Sequence, residues 1–326
     1  MQIREHSPEV SLRSLLSDYG KNLVGYREIS RGENSRVYLL QGDEGNQYVA
    51  KFYPPPEPGR LDRLQIEYST LVFLREHGFE NVPEPLLRCD ERSQALFGYL
   101  RGERPTCPSL SDLHQVANFF CRLQTLREKP HADQLPEASE ACFSLGQHAR
   151  LVHRRINLLR EALTPQDGEV ERFLDLEFLP FVTKVEERVD LSTLLPDRVL
   201  SPSDFGFHNS LRDHRGKLHF LDFEYFGWDD LSKVLVDFSL HPQHRELGPL
   251  SRKFHELVRN GLPVQPGFDE RLQQVEPFCG AKWCLIMLNV FRRRHRAHPP
   301  ASPSLLARRL ISSRQLLALL KRRFSL

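Results

Sequence analysis

The spacing of hydrophobic residues in this sequence changes between about residues 100 and 109, and that change limits the folds that the chain can adopt. Before it, short runs rich in β-branched and aromatic residues alternate with turn sequences such as Gly42-Asp-Glu-Gly-Asn. Runs of this kind are typical of β-strands. The pattern predicts strands at residues 24–30, 36–41, 47–53, 86–88 and 95–100, with one helix at residues 60–77.

After residue 109 the apolar residues recur with a period near 3.6, as they do on one face of an α-helix. This spacing predicts helices at residues 110–126, 144–162, 170–189, 231–240, 250–258, 272–291 and 305–320. The sequence therefore predicts an α+β fold. We expect a small antiparallel β-rich lobe with one inserted helix at residues 1–100, and a larger, mainly helical lobe at residues 101–326.

The composition is that of a globular protein, because 40% of the 326 residues are hydrophobic and 27% are charged. No apolar run approaches the roughly 18 residues that span a bilayer. The N-terminal segment carries charges where a signal peptide is apolar. The six cysteines are scattered without the paired spacing of metal sites. These features predict a cytoplasmic protein with reduced, buried thiols.

The charges are distributed unevenly along the chain. No Asp or Glu follows Glu276, whereas eleven Lys and Arg residues do. A basic segment of this kind can attract nucleic acid or a membrane surface, and it can equally be the solvated face of ordinary helices. The amphipathic spacing after residue 304 favours a packed terminal helix. Its predicted inward residues are Leu306, Leu310, Leu316, Leu317 and Leu320.

One lysine, Lys51, lies in the middle of an otherwise apolar predicted strand. A buried strand seldom contains lysine unless the ammonium group meets an anion. Glu67 follows sixteen residues later in the predicted helix and could pair with it. The alternative is that Lys51 points to solvent from an edge strand and that Glu67 is an exposed helix residue.

Three further polar residues follow at short spacing among apolar residues. Asp204 and Asn209 lie on one loop, where Pro202 excludes a helix, and Asp222 ends a hydrophobic run. Each could be an ordinary turn or capping residue. Together their oxygens suit Mg²⁺, which prefers carboxylates and substrate phosphates as ligands.

These residues resemble the motifs of the aminoglycoside phosphotransferase and choline kinase-like family, whose members share a protein-kinase-like fold. The most specific part is Asp204-x-x-x-x-Asn209 followed by Asp222, with Lys51 and Glu67 upstream. The resemblance covers roughly residues 24–295. It implies an ATP- and Mg²⁺-dependent phosphotransferase with a nucleotide-binding N-terminal lobe and a small-molecule acceptor.

The resemblance also assigns roles to individual residues. Asp204 would orient the acceptor hydroxyl, Asn209 and Asp222 would bind Mg²⁺, and Lys51, oriented by Glu67, would hold the ATP phosphates. The role of Glu224 is left open. The remaining nucleotide-binding residues lie in a phosphate-covering turn and in an inter-lobe hinge: Gly32, Asn34, Ser35, Gly98, Tyr99 and Leu100.

The chain departs from the family pattern in two places. Members usually have His-Gly before the catalytic aspartate, and this chain has Pro202-Ser203. The loop then needs another brace, for which His208 is a candidate. The usual Gly-Asp-Pro pattern after the metal-binding strand is replaced by a segment containing Asp229 and Asp230. We expect one of these two to cap the next helix.

The resemblance assigns acceptor choice to helical-lobe residues at about 140–189 and 229–244. A sugar, an amino sugar and an amino alcohol all remain candidate acceptors, and we favour a sugar or related hydroxylated metabolite. GTP instead of ATP also remains open. The alternative function is that of a catalytically weak kinase-fold protein that docks an anionic partner through its basic C-terminus. We expect neither a nucleic-acid partner nor a membrane-spanning segment.

Overall fold

The structure is a computed structural model that describes residues 8–31, 35–56, 62–242, 244, 248–293 and 301–325. The chain divides into two compact units. The first contains Met1–Ser139 and Leu200–Gly227, and the second contains Glu140–Val199 and Trp228–Leu326. The segment with Asp204, Asn209 and Asp222 thus groups with the N-terminal sheet. The lobe boundary expected near residue 100 stays a prediction.

The first unit contains a five-stranded antiparallel sheet with the strand order β1-β2-β3-β5-β4. Its helices and strands up to residue 123 are α1 (Pro8–Asp18), β1 (Leu23–Arg31), β2 (Arg36–Gly42), β3 (Gln47–Phe52), α2 (Arg63–Glu76), β4 (Pro85–Cys89), β5 (Gln94–Gly98) and α3 (Leu110–Leu123). The five predicted strands and the inserted helix are confirmed, with ends displaced by a few residues. Helix α1 was not predicted.

Helix α1 packs on one face of the sheet. Its buried residues Leu12, Leu15 and Leu16 join a core cluster with Leu40 of β2 and Ala50 of the central strand β3. The helix has only 11 residues, which is too short for a stable isolated helix, so most of its stability comes from the packing of its three buried leucines on the sheet. This is why its short apolar pattern was a weak signal in the sequence.

The second unit is mainly helical. Its helices are α4 (Leu145–Arg160), α5 (Gly168–Phe173), α6 (Leu179–Glu186), α7 (Leu231–Leu240), α8 (Pro249–Gly261), α9 (Phe268–Met287), α10 (Asn289–Arg293) and α11 (Pro303–Phe324). A π-helical turn at Leu174–Phe178 joins α5 to α6, so the single helix predicted there is nearly continuous. All the predicted helices are present. Helix α7 has the predicted bounds.

Four short strands lie between α6 and α7. They are β6 (Arg198–Ser201), β7 (Ser210–Arg212), β8 (Leu218–Phe220) and β9 (Gly227–Asp230). Strands β7 and β8 form an antiparallel hairpin in the first unit.

The C-terminal helix α11 packs against α9, and the packed terminal helix predicted from the sequence is therefore confirmed. Leu310, Leu316, Leu317 and Leu320 are buried, and Leu306 packs against the same core. The approach is close at Gly280, where an added Cβ would lie 2.5 Å from Leu320 Cδ1. The basic segment is therefore partly the solvated face of a packed helix.

The six cysteines are free, but only some are buried. Cys142, Cys279 and Cys284 are buried, whereas Cys107 is exposed. The expectation of buried thiols is therefore wrong for Cys107, which precedes Pro108 in the segment between β5 and α3. No helix among the described residues is long and apolar enough to cross a membrane.

Candidate functional site

Lys51 is buried in the central strand of the sheet, with 6% of its surface exposed. Side chains alternate along β3. Ala50 and Phe52 face the core under α1, and Lys51 and the following Tyr53 occupy the opposite face. The interpretation of Lys51 as a solvated residue of an edge strand is therefore wrong.

Three carboxylates surround the Lys51 ammonium group. Its Nζ atom lies 2.7 Å from Glu67 Oε2, 2.7 Å from Asp222 Oδ1 and 3.1 Å from Glu224 Oε2. Burial alone lowers the pKa of Lys51, but Glu67, Asp222 and the other acidic neighbours outweigh it and raise the pKa well above its ordinary value. Lys51 is charged at neutral pH.

Glu67 connects α2 to the strand and to the segment after β8. Its Oε2 atom accepts hydrogen bonds from Lys51 Nζ and from Tyr53 Oη, each at 2.7 Å, and its Oε1 atom accepts the Phe223 backbone N–H at 3.3 Å. Burial raises the pKa of Glu67 to about 7, and Lys51 opposes that shift. With an ammonium group at 2.7 Å we assign Glu67 the ionised form. The alternative of an exposed helix residue is wrong, because Glu67 is 3% exposed.

The β7–β8 hairpin brings Asn209 and Asp222 together. Asn209 immediately precedes β7 and Asp222 follows β8 by two residues, and the Leu221 N–H donates to the Asn209 carbonyl at 2.8 Å. Asp222 has a left-handed backbone, with φ 65°. This conformation is unfavourable for a residue other than glycine and is frequent at functional sites.

Asp204 is fixed by two neighbours in its loop. The Nε2 atom of His208 lies 2.9 Å from Asp204 Oδ1, and Asn209 Nδ2 donates to the Asp204 carbonyl at 2.9 Å. The predicted convergence of Asp204 and Asn209 is therefore confirmed, and His208, the candidate brace of the loop, contacts the aspartate. The Asp204 side chain remains 42% exposed. It is held in place while accessible to another molecule.

The donor atoms of this site fit a hard divalent cation. Carboxylate oxygens of Glu67, Asp222 and Glu224 lie within 4.8 Å of one another. Glu224 is 3% exposed, and its Oε2 atom forms an ion pair with Lys51 Nζ at 3.1 Å but no hydrogen bond of normal geometry with the described residues. Three carboxylates exceed the charge of Lys51, and Arg63 approaches Glu224 only at 3.5 Å. The bonds of Asn209 use its amide nitrogen and leave its carbonyl oxygen as a further ligand atom.

Sequence reasoning missed Tyr53 and Arg63 at this site and left Glu224 without a role. Tyr53 was detectable in principle, because it lies two residues after Lys51 and therefore on the same face of the strand. Arg63 is the first residue of α2. Its guanidinium carbon lies 5.0 Å from the centroid of the Tyr225 ring, and its side chain approaches Glu224. Both contacts depend on tertiary packing.

The other predicted nucleotide-binding residues are less informative. Ser35 lies at the turn of the β1–β2 hairpin, next to the terminal pair of Arg31 with Arg36. Gly98 ends β5, and Tyr99 and Leu100 follow it as partly buried residues. Gly32 and Asn34 lie outside the described residues.

The second unit contains a separate group of buried, paired charges. Lys233 Nζ lies 2.6 Å from Asp229 Oδ2, and Lys282 Nζ donates to Asp237 Oδ2 at 2.5 Å. The Trp283 ring N–H also donates to Asp237, at 2.9 Å. Burial raises the pKa of Asp237, but Lys282 and Lys233 outweigh it and lower the value to about 2. Each carboxylate in this group is matched by an ammonium group.

Asp230 caps helix α7. Its side chain accepts the backbone N–H of Lys233 at 3.1 Å. This confirms the capping role expected for one of the two aspartates. The neighbouring Asp229 instead forms an ion pair with the Lys233 side chain.

A comparison with protein-family models matches residues 25–239 to the family described as the phosphotransferase enzyme family. The matched segment contains every residue of the site around Lys51 and Asp204. A search of curated proteins found no match to this sequence.

Solved structures of three enzymes are similar to this chain in fold. Spectinomycin phosphotransferase APH(9)-Ia in complex with ADP and spectinomycin has a TM-score of 0.67 at 11% identity, covering 96% of this chain and 98% of that one. The choline kinase LicA from Streptococcus pneumoniae has a TM-score of 0.63 at 14% identity, covering 95% and 99%. An APH(2″) enzyme in complex with GDP and kanamycin has a TM-score of 0.65 at 14% identity, covering 96% and 99%.

Proposed function

This chain belongs to the phosphotransferase enzyme family, and on that premise we propose that it transfers the γ-phosphoryl group of ATP to a hydroxyl of a small polar metabolite. Family membership confirms that the chain is a phosphotransferase, the enzyme class predicted from the sequence, and the small-molecule acceptor is part of the proposal. The observation that carries the proposal is the buried contact of Lys51 with both Glu67 and Asp222. A buried ammonium group beside a strand-end carboxylate suits the binding of phosphate and metal together.

Lys51 binds the α- and β-phosphates, and Glu67 holds its ammonium group in place. The resemblance assigns the covering of the phosphates to Gly32, Asn34 and Ser35. Backbone groups of Gly98, Tyr99 and Leu100 face the base. Asn209 and Asp222 would hold Mg²⁺, which would supply positive charge to neutralise the transferred phosphoryl group.

Asp204 orients the acceptor hydroxyl and receives its proton. As the hydroxyl oxygen bonds to the γ-phosphorus, the bond from phosphorus to the β–γ bridging oxygen breaks. The proton passes to a carboxylate oxygen of Asp204. Little basicity is required, because the transition state of phosphoryl transfer is loose and positioning supplies much of the rate. His208 and Asn209 supply that positioning by fixing Asp204.

The acceptor that we favour is a sugar or a related uncharged hydroxylated metabolite. The resemblance assigns acceptor choice partly to residues 229–244, where Asp229 and Asp237 are paired with lysines. A carboxylate already neutralised by an ammonium group attracts a cationic acceptor weakly. Cationic acceptors such as choline, named for one structural neighbour, are therefore less well suited to these two residues.

Two sequence features suggested the alternative function, a catalytically weak protein that docks an anionic partner. One is the Pro202-Ser203 departure before Asp204, and the contact of His208 with Asp204 supplies another brace. The other is the basic C-terminus, whose helix α11 is packed against α9. Both observations favour the kinase.

Calorimetric titration of ATP and GTP, with and without Mg²⁺, tests the proposal. We expect Mg²⁺-dependent binding that Asp222→Ala abolishes and that Asp90→Asn, a change at an exposed turn carboxylate, leaves intact. Sugars, amino alcohols and aminoglycosides are then screened for phosphate transfer. If neither nucleotide binds at millimolar concentration, the proposal is wrong.

A further inference from the structure

Tyr53 lies directly after β3 and continues its geometry. Its backbone N–H donates to the Ser93 carbonyl at 2.9 Å, just before β5, so that the side chain stays on the same face as Lys51. The side chain is buried, with the residue 6% exposed. Tyr53 is therefore held rigidly beside the ammonium group.

The tyrosine contacts both members of the Lys51–Glu67 pair. Its hydroxyl donates to Glu67 Oε2 at 2.7 Å, the same oxygen that accepts from Lys51 Nζ. Its ring centroid lies 5.1 Å from Lys51 Nζ, within the range of a cation–π contact. Burial, followed by the charge of Glu67, raises the pKa of Tyr53 well above its ordinary value, so the hydroxyl remains a donor.

These contacts limit the movements that would disable the lysine. Without the hydroxyl, Oε2 of Glu67 would keep Lys51 as its single partner, and rotation of the carboxylate would be opposed only by that contact and by the longer bond from the Phe223 N–H to Oε1, at 3.3 Å. Without the ring, the ammonium group would lose its contact with the aromatic face on one side. Hydrogen bonds to charged groups are stronger than those between neutral groups, so losing this one should be measurable.

We propose that Tyr53 is a positioning residue for nucleotide binding, which holds Glu67 and Lys51 in the arrangement that receives the phosphates. This inference rests on the proposed function. Tyr53 acts through Glu67 and Lys51, and it is separate from the lysine, glutamate and aspartate residues that the sequence motif identifies.

The test compares Tyr53→Phe with Tyr38→Phe. Tyr38 is also buried in the sheet, 1% exposed, and its hydroxyl has no hydrogen-bond partner among the described residues. Its ring packs on Phe52, on the face opposite Lys51. Both variants lose one buried hydroxyl, but only one of those hydroxyls contacts Glu67. Mg²⁺–ATP affinity is measured by calorimetry, and kcat and both KM values are measured with the acceptor found by screening.

We expect Tyr53→Phe to weaken Mg²⁺–ATP binding roughly 5- to 10-fold, as suits the loss of one charge-assisted hydrogen bond. The KM for the acceptor should be unchanged, and Tyr38→Phe should bind within about twofold of the wild type. Calorimetric stoichiometry reports the folded fraction, so partial unfolding is separated from a change in affinity. In a Glu67→Ala background, Tyr53→Phe should cause no further loss.

The experiment distinguishes a failure of the positioning role of Tyr53 from a failure of the proposed kinase function. If the wild type binds nucleotide and Tyr53→Phe binds it equally well, the positioning role is overturned while the kinase proposal stands. The same conclusion follows if the loss persists undiminished in the Glu67→Ala background. If the wild type binds no nucleotide, both proposals are overturned.

Discussion

The ammonium group of Lys51 lies 2.7 Å from Oδ1 of Asp222, although 171 residues separate the two in sequence. Lys51 comes from the central strand β3, and Asp222 comes from the segment after the β7–β8 hairpin. The two groups that should meet the phosphates and the metal therefore already neutralise each other in part. A metal-bound nucleotide would replace this contact with contacts to its own charges.

Replacing Lys51 should lower both the stability of the protein and its affinity for the nucleotide. In Lys51→Met the carboxylates of Glu67 and Glu224 stay buried beside Asp222 without their counter-charge. Breaking a buried ion pair costs about 3 kcal/mol or more, and we expect a loss of that order in the free energy of unfolding, measured with urea. Mg²⁺–ATP binding should weaken at least roughly 10-fold. Lys21→Met, at a lysine partly exposed to solvent, should change neither quantity, and equal stability losses in both variants would contradict the prediction.

Asp204→Asn should affect turnover alone. The side chain is 42% exposed, and asparagine keeps its size, so we expect a native melting temperature and native Mg²⁺–ATP affinity. A group that positions a reacting hydroxyl and takes its proton contributes roughly 100-fold or more to the rate. Initial rates under saturating substrates measure this. Wild-type turnover in Asp204→Asn would show that the assigned role is wrong.

His208→Ala tests the brace that replaces the usual His-Gly pair. The contact of His208 with Asp204 Oδ1 fixes one oxygen of that carboxylate. Its loss should lower kcat roughly 10-fold, because misplacing a catalytic group by a fraction of an ångström is costly. Nucleotide affinity should be retained. His214→Ala, at an exposed position in the β7–β8 turn, is the control, and an equal effect of both changes on kcat would exclude a specific brace.

Lys233→Met should destabilise the second unit. Lys233 is 1% exposed, and Asp229, its partner at 2.6 Å, is fully buried. An unpaired buried carboxylate is expected to lower the free energy of unfolding by about 3–5 kcal/mol. The double variant Asp229→Asn with Lys233→Met removes both charges and should recover part of that loss. Additive effects in chemical denaturation would contradict the pairing.

Asp230→Asn should change how stability depends on pH. Burial raises the pKa of the Asp230 carboxyl to about 7, against the opposing bond from the Lys233 N–H, whereas an unfolded aspartate titrates near 3.8. Between these values the folded protein binds a proton that the unfolded chain releases, so stability falls as the pH rises.

Asparagine retains the cap and cannot titrate. The variant should therefore gain stability relative to the wild type as the pH rises from about 4 to 7, measured by urea denaturation at several pH values. A constant difference between the two proteins would show that Asp230 does not titrate in this window.

The sequence by itself determined the five strands of the sheet, most of the helices and a set of polar residues that need partners. Periodicity of side chains is a local property, so strands β1–β5 and helix α7 were recoverable within a few residues. The polar residues that stand out among apolar neighbours could also be identified from the sequence: Lys51, Glu67, Asp204, Asn209 and Asp222. A charged or amide side chain among apolar neighbours is costly to bury without a partner, so such a residue can be recognised from the sequence alone.

Only the tertiary structure decided which of these groups meet. Glu224 reaches Lys51, Tyr53 shares the same oxygen of Glu67, and helix α1 folds onto the sheet through three leucines. Contacts of this kind arise because packing closes long loops of chain, and no local pattern encodes their distances. Electrostatic energy depends on those distances and on burial. The pairing of Asp229 and Asp237 with lysines therefore had to be observed in three dimensions.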